Sequence, residues 1–166
     1  LDFFGDPWIN NPSYVLDTAE ALRSDFELLQ IAIIRHPIDQ WLSLSGLTML
    51  KDQLTLKDFL KGYLEFVKIA YSIGFIRYED FTRYPDAELK NLCAKLDISF
   101  DPEYQNKWHS YQKITGDVSR SSESNPQIHF NCKDYNNLSS ELLEYLSNSS
   151  DYQQIIEITG YSNLPR

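Results

Sequence analysis

The sequence predicts an α/β fold with a mostly parallel sheet flanked by helices. Three observations predict it: an almost unbroken apolar run from Leu28 to Ile34, a helical stripe from Leu56 to Ala70, and a short apolar run from Phe75 to Tyr78 directly after it. A strand buried on both faces is apolar without alternation, as in a parallel sheet covered by helices. The order strand–helix–helix–strand–helix then provides the crossovers that parallel strands require.

Each element has its own local signal. Residues 1–13 are expected to be irregular, because Asp6-Pro7 and Asn10-Asn11-Pro12 are turn signals. Asp17 to Ser24 is expected as a short helix closed by Phe26. After the first strand, Pro37 supplies a fixed φ suited to the first turn of a helix, and Ile38, Trp41, Leu42, Leu44, Leu47 and Leu50 form its stripe. Thr55 caps a longer helix with Leu56, Phe59, Leu60, Tyr63, Leu64, Val67 and Ala70 at three- and four-residue steps, and Gly74 stops it. Phe75 to Tyr78 is the second buried strand. A helix from about Pro85 to Leu96 follows, with Leu89, Leu92, Cys93 and Leu96 expected in the core. Residues 113–137 are polar and turn-rich, a long loop, and Leu138 to Asn148 and Asp151 to Thr159 are expected to be closing helices.

A chain of 166 residues fits one domain, and a composition that is 42% hydrophobic and 23% charged is that of a globular one. The net charge of −9 excludes a general nucleic-acid or anionic-membrane binder, both of which need positive surface, but leaves room for one nucleotide held by a few converging cations. No stretch reaches the roughly 20 apolar residues of a membrane span. Cys93 and Cys132 lack metal-ligand spacing and are too few for a disulfide scaffold, so a reducing, cytoplasmic setting is expected.

The chemistry concentrates in Arg35-His36-Pro37-Ile38-Asp39-Gln40-Trp41-Leu42-Ser43. A cation directly after a buried strand lies at the strand's carboxyl end, where open α/β sheets bind their ligands. Ser43 stands eight residues later, about two helical turns on. A helix packed back over the strand end would bring a forked guanidinium and a hydroxyl to one anion. The residues support a second reading equally well: Arg35 pairs with Asp39 at a helix start.

Arg-x-Pro-x-Asp-x-x-x-Ser after an apolar strand resembles the 3′-phosphate-binding segment of sulfotransferases that use 3′-phosphoadenosine 5′-phosphosulfate. Phe75-Ile76-Arg77-Tyr78-Glu79-Asp80-Phe81, followed by Tyr84-Pro85-Asp86-Ala87-Glu88-Leu89, is similar to that family's strand ending in Tyr-Glu-Asp-Leu and its acidic helix. Leu96 to Pro102 resembles the helix exit that follows, and Ile114 to Ser122 resembles the Gly-Asp/Asn-x-x-x-Arg-x-Ser loop of bacterial members. The last helix, Ser150 to Ile155 with Gly160-Tyr161, also fits. The likeness spans residues 28 to about 161.

The resemblance implies a three-layer, P-loop-type α/β fold and transfer of a sulfuryl group to the hydroxyl or amine of a small-molecule or glycan acceptor, with no metal. It implies nucleotide contacts from Arg35 and Ser43, from Gly116, Arg120 and Ser121 of the late loop, and from Tyr78 beside the adenine. The family also carries a 5′-phosphosulfate loop, a Ser-Gly-Thr-Thr type turn after its first strand, where backbone amides at a helix N-terminus cradle the anion. Gly5, Gly46, Gly62, Gly74, Gly116 and Gly160 do not stand in such a turn, so the domain is expected to be incomplete at its N-terminus. No catalytic base is assigned: His36 is expected to orient backbone, and His109, His129, Asp2 and Asp6 have solvated-loop readings. Trp8, Phe3 and Phe4 suit an apolar acceptor pocket or a core. The alternative is a non-catalytic module that keeps the fold and binds protein. A nucleotide kinase is disfavoured, because no Walker motif is present.

Overall fold

A computed structural model describes residues 17–46, 54–107, 135 and 138–164. Together they form a helix-rich α/β protein with a two-stranded parallel sheet, and the chain divides into two compact units: residues 1–77 with 132–166, and residues 78–131.

In the first unit the elements are α1 (Asp17–Leu22), β1 (Ala32–Ile34), α2 (Pro37–Ser45), α3 (Leu56–Ile73), β2 (Phe75–Arg77), α7 (Ser140–Asn148) and α8 (Ser150–Thr159); the second contributes α4 (Tyr78–Arg83), α5 (Pro85–Lys95) and α6 (Tyr104–Lys107). The strands pair in parallel with Ala32, Ile33 and Ile34 opposite Phe75, Ile76 and Arg77. The crossover between them is α2 and α3.

The centre of the first unit is α3. The Thr55 hydroxyl accepts the Asp58 N–H at 3.1 Å, satisfying one of the orphan amides of the helix start. Phe59, Leu60, Tyr63, Leu64, Val67 and Ala70 are all buried, on a stripe at helical spacing. That stripe packs on β1, α2 and α8, where Ile34, Ile38 and Ile155 are almost fully enclosed. Trp41 of α2 lies against the Phe59 ring, 5.6 Å between centroids, and Phe59 stacks on Tyr63 at 5.3 Å. Gly74 ends α3 at φ 89°, a backbone conformation that a side chain resists, and so lets β2 start one residue later.

Three sequence expectations are corrected. The first strand is not the buried run Leu28 to Ile34: only Ala32–Ile34 pairs, and Ile33 is 59% exposed. A ladder can be no longer than its shorter partner, and β2 has three residues. The second strand stops at Arg77, and Tyr78 instead opens α4. The first helix ends at Leu22 rather than Ser24, and Phe26 closes it through its main chain, its N–H donating to the Leu22 carbonyl at 3.0 Å while the ring stays exposed. Leu47 and Leu50 lie outside the described residues.

In the second unit, α5 begins at Pro85 as the sequence indicates, but Leu89, Leu92, Cys93 and Leu96 are half-buried rather than core. The helix leaves through Asp97 in the left-handed region, with the Ile98 N–H returned to the Cys93 carbonyl at 3.0 Å. Below, Lys107 donates to Asp101 at 2.6 Å, and this hydrogen bond holds the carboxyl below its usual range.

Two outcomes follow from the packing of the first unit. Phe59→Ala should cost about 3–5 kcal/mol in denaturant unfolding, whereas Ile33→Ala should cost well under half of that. Burial pushes the Tyr152 hydroxyl up to about 12, above its ordinary 10.0. The folded state therefore keeps its proton where the unfolded chain loses it, so this stabilisation is intact below pH 10 and declines as the pH rises through 12. Thermal unfolding followed from neutral to alkaline pH should show a steeper decline for the native protein than for Tyr152→Phe.

Candidate functional site

The link between β1 and α2 is two residues long, Arg35 and His36, and it lies at the carboxyl end of the parallel pair. Tyr63, reaching out of α3, grips it from the core side. Its hydroxyl accepts the Arg35 N–H at 3.1 Å and donates to the Arg35 carbonyl. One hydroxyl thus meets both main-chain groups of the residue in a half-buried turn.

His36 is buried and fixes the start of α2. Its Nδ1 accepts the Ile38 N–H at 3.2 Å, acting as the helix N-cap, with Pro37 at the first helical position. Its Nε2 faces the Ser162 carbonyl at 3.0 Å. An acceptor at Nδ1 and a carbonyl at Nε2 assign the neutral ring with its proton on Nε2. The ring therefore orients backbone, as the sequence indicates, and its nitrogens are not aimed at a ligand.

Asp39 occupies the first turn of α2, where a carboxylate is favoured by the helix dipole. It is buried, and its Oδ1 accepts the Tyr135 hydroxyl. Its Oδ2 lies 3.8 Å from Nη2 of Arg35, an ion-pair separation rather than a hydrogen bond. The Arg35 side chain keeps 23% of its surface exposed while the carboxylate keeps 7%. The carboxylate is thus held by Tyr135 on one oxygen and faces the partly exposed Arg35 side chain with the other.

Ser43 lies one helical turn beyond Asp39 and hence on the same face of α2. It is exposed, and its hydroxyl makes no hydrogen bond among the described residues. Arg35, Asp39 and Ser43 therefore follow one line along the strand end and the helix. The structure brings Arg35 to Asp39 but does not put Ser43 in hydrogen-bond contact with either.

The other sequence candidates fall elsewhere. Tyr78 is in the second unit at the first position of α4, where its carbonyl accepts the Thr82 hydroxyl at 3.0 Å. Gly116, Arg120 and Ser121, with His109, His129 and the N-terminal Asp2, Phe3, Phe4, Asp6 and Trp8, lie outside the described residues. Among the described residues no cluster of His, Cys, Asp or Glu could hold a metal, and no helix is long and apolar enough to cross a membrane.

Two site residues escaped the sequence reading. Tyr63 stood on a core stripe; a tyrosine there needs a partner for its hydroxyl, which is a signal without an address. Tyr135 bonds across 96 residues, and nothing local announces it. No protein-family model, curated protein or solved structure matches the chain.

Removing the Tyr63 hydroxyl tests the clamp. Tyr63→Phe should destabilise the protein by about 1–3 kcal/mol in urea unfolding, because it leaves an amide and a carbonyl without their partner. A loss below about 0.5 kcal/mol, the low end for one hydrogen bond, would show that the clamp is immaterial.

Proposed function

We propose that this chain is a sulfotransferase-type domain in which Arg35 and Ser43 bind the 3′-phosphate of 3′-phosphoadenosine 5′-phosphosulfate. The observation that carries the reading is the placement of Arg35: directly beyond a parallel strand, its backbone gripped by Tyr63, its guanidinium beside Asp39 on the helix that also bears Ser43. Carboxyl ends of parallel strands are where ligands collect in α/β proteins, and a backbone held on both sides restricts the directions its side chain can take. Asp39, 3.8 Å from Arg35, balances part of its charge, and a guanidinium fork has the geometry to meet phosphate oxygens. The Ser43 hydroxyl supplies one further donor.

In the proposed reaction, the acceptor oxygen or nitrogen forms a bond to sulfur as the bond from sulfur to the 5′-phosphate oxygen breaks. The acceptor's proton passes to a base that the residues above do not include. Arg35 and Ser43 act at the far end of the donor, so their contribution is binding and orientation rather than bond making.

One observation favours a second reading. The Arg35–Asp39 separation of 3.8 Å is also that of a structural ion pair at a helix start, as in a non-catalytic module that retains the fold.

Calorimetric titration with 3′-phosphoadenosine 5′-phosphate separates the two. The proposed function predicts binding that Arg35→Ala weakens by about 1.5–3 kcal/mol, the scale of a charged hydrogen bond, and that Ser43→Ala weakens by about 0.5–1.5 kcal/mol. Equal affinity in native protein and Arg35→Ala would support the module instead.

A further inference from the structure

Four backbone carbonyls between residues 156 and 163 are held, three by side chains and one by a main-chain amide. Arg77, the last residue of β2, donates from Nη2 to the Thr159 carbonyl at 2.6 Å, taking one of the open acceptors at the end of α8. His36 Nε2 holds the Ser162 carbonyl at 3.0 Å, and the Tyr152 hydroxyl donates to that of Asn163. The fourth, of Ile156, accepts the Gly160 N–H at 2.8 Å and closes the helix. Between these anchors lies Tyr161, its ring edge-on to His36 with centroids 5.0 Å apart and under the Arg77 guanidinium at 5.0 Å.

Gly160 permits this turn in two ways. Its φ of 66° is left-handed, and a Cβ built there would come 2.9 Å from Arg77 Nη2. The turn over residues 160–163 is therefore fitted to the ends of both strands: to His36, which follows β1, and to Arg77, which ends β2.

His36 is the point where this turn meets the candidate site. One ring nitrogen holds the first turn of α2, the other holds Ser162, and the residue is bonded directly to Arg35 in the chain. We infer that His36 is a positioning residue: it couples the turn over residues 160–163 to the Arg35–Pro37 link, so that the chain end fixes the direction of the Arg35 side chain. The coupling stands on geometry alone; its consequence for ligand binding rests on the proposed 3′-phosphate site. The imidazole suits the task because its two nitrogens point in opposed directions from one rigid ring, which no aliphatic or amide side chain reproduces.

Three variants test the inference: His36→Ala, His36→Asn and Gly160→Ala, with Val67→Ala as a core control of comparable stability loss. Amide hydrogen exchange at Ile38 and at residues 160–163 reads the coupling, and titration with 3′-phosphoadenosine 5′-phosphate reads its consequence. His36→Ala should speed exchange on both sides and weaken binding about five- to tenfold, the scale of one lost hydrogen bond. His36→Asn keeps a cap acceptor but is too short for Ser162, so Ile38 should remain protected while residues 160–163 loosen. Gly160→Ala, far from Arg35 in sequence, should loosen Ile38 and weaken binding, whereas Val67→Ala should do neither beyond its effect on global stability.

In His36→Ala or Gly160→Ala, exchange that changes on only one side of residue 36 would overturn the coupling whatever the affinities show. Coupled exchange with unaltered nucleotide affinity in His36→Ala would overturn the positioning role. Coupled exchange in a protein whose native form binds no nucleotide would support the coupling and overturn the proposed function.

Discussion

The hydroxyl of Tyr63 links the core of the first unit to its candidate site. The ring belongs to the core: it is buried on α3, stacked on Phe59, and part of the stripe against which β1 and α2 pack. The oxygen belongs to the Arg35 turn, where it closes both main-chain groups. Because a buried aromatic has few positions open to it in a close-packed interior, the turn inherits the rigidity of α3. The chain can therefore change from strand to helix within two residues.

Around that turn the polar groups divide into those facing inward and those left for solvent. His36 uses one nitrogen on the helix start and the other on a carbonyl 126 residues away. Asp39 takes the Tyr135 hydroxyl on one oxygen and faces Arg35 with the other. Buried polar groups must be hydrogen-bonded or paired, and these are. Arg35 and Ser43 keep the more accessible positions, which is the division expected where a rigid inner ring supports an outer one that meets ligand. Asp39 offsets part of the charge of the guanidinium from 3.8 Å.

Much of the local structure was legible in the sequence, because its causes are local. Thr55 as cap, Pro37 at a helix start, Gly74 as a stop and Pro85 opening α5 each act within a few residues, and each sits where the pattern put it. The extent of the strands was not legible. Leu28 to Ile34 is apolar enough for a long strand, but pairing length is set by the partner, and β2 has three residues before Tyr78 turns into α4. Burial of the α5 stripe failed for a related reason: Leu89 and Leu92 fit a helical face, but periodicity does not say whether a neighbour covers it. At the site, Arg35 and Asp39 were legible from their spacing. Tyr135 and the carbonyl of Ser162 were not, since each meets its partner across roughly a hundred residues of chain and carries no mark in the local pattern.

The central claim is that the Arg35 turn recognises a phosphate on the 3′ side of a nucleotide. The most direct test is a thermodynamic cycle between protein and ligand: native protein and Arg35→Ala, each titrated with 3′-phosphoadenosine 5′-phosphate and with adenosine 5′-phosphate, which lacks the 3′-phosphate. The account predicts that native protein prefers the first by about tenfold or more, and that the preference collapses in Arg35→Ala, because the same interaction is removed from either side. A preference of equal size in both proteins, or none in the native one, would contradict it.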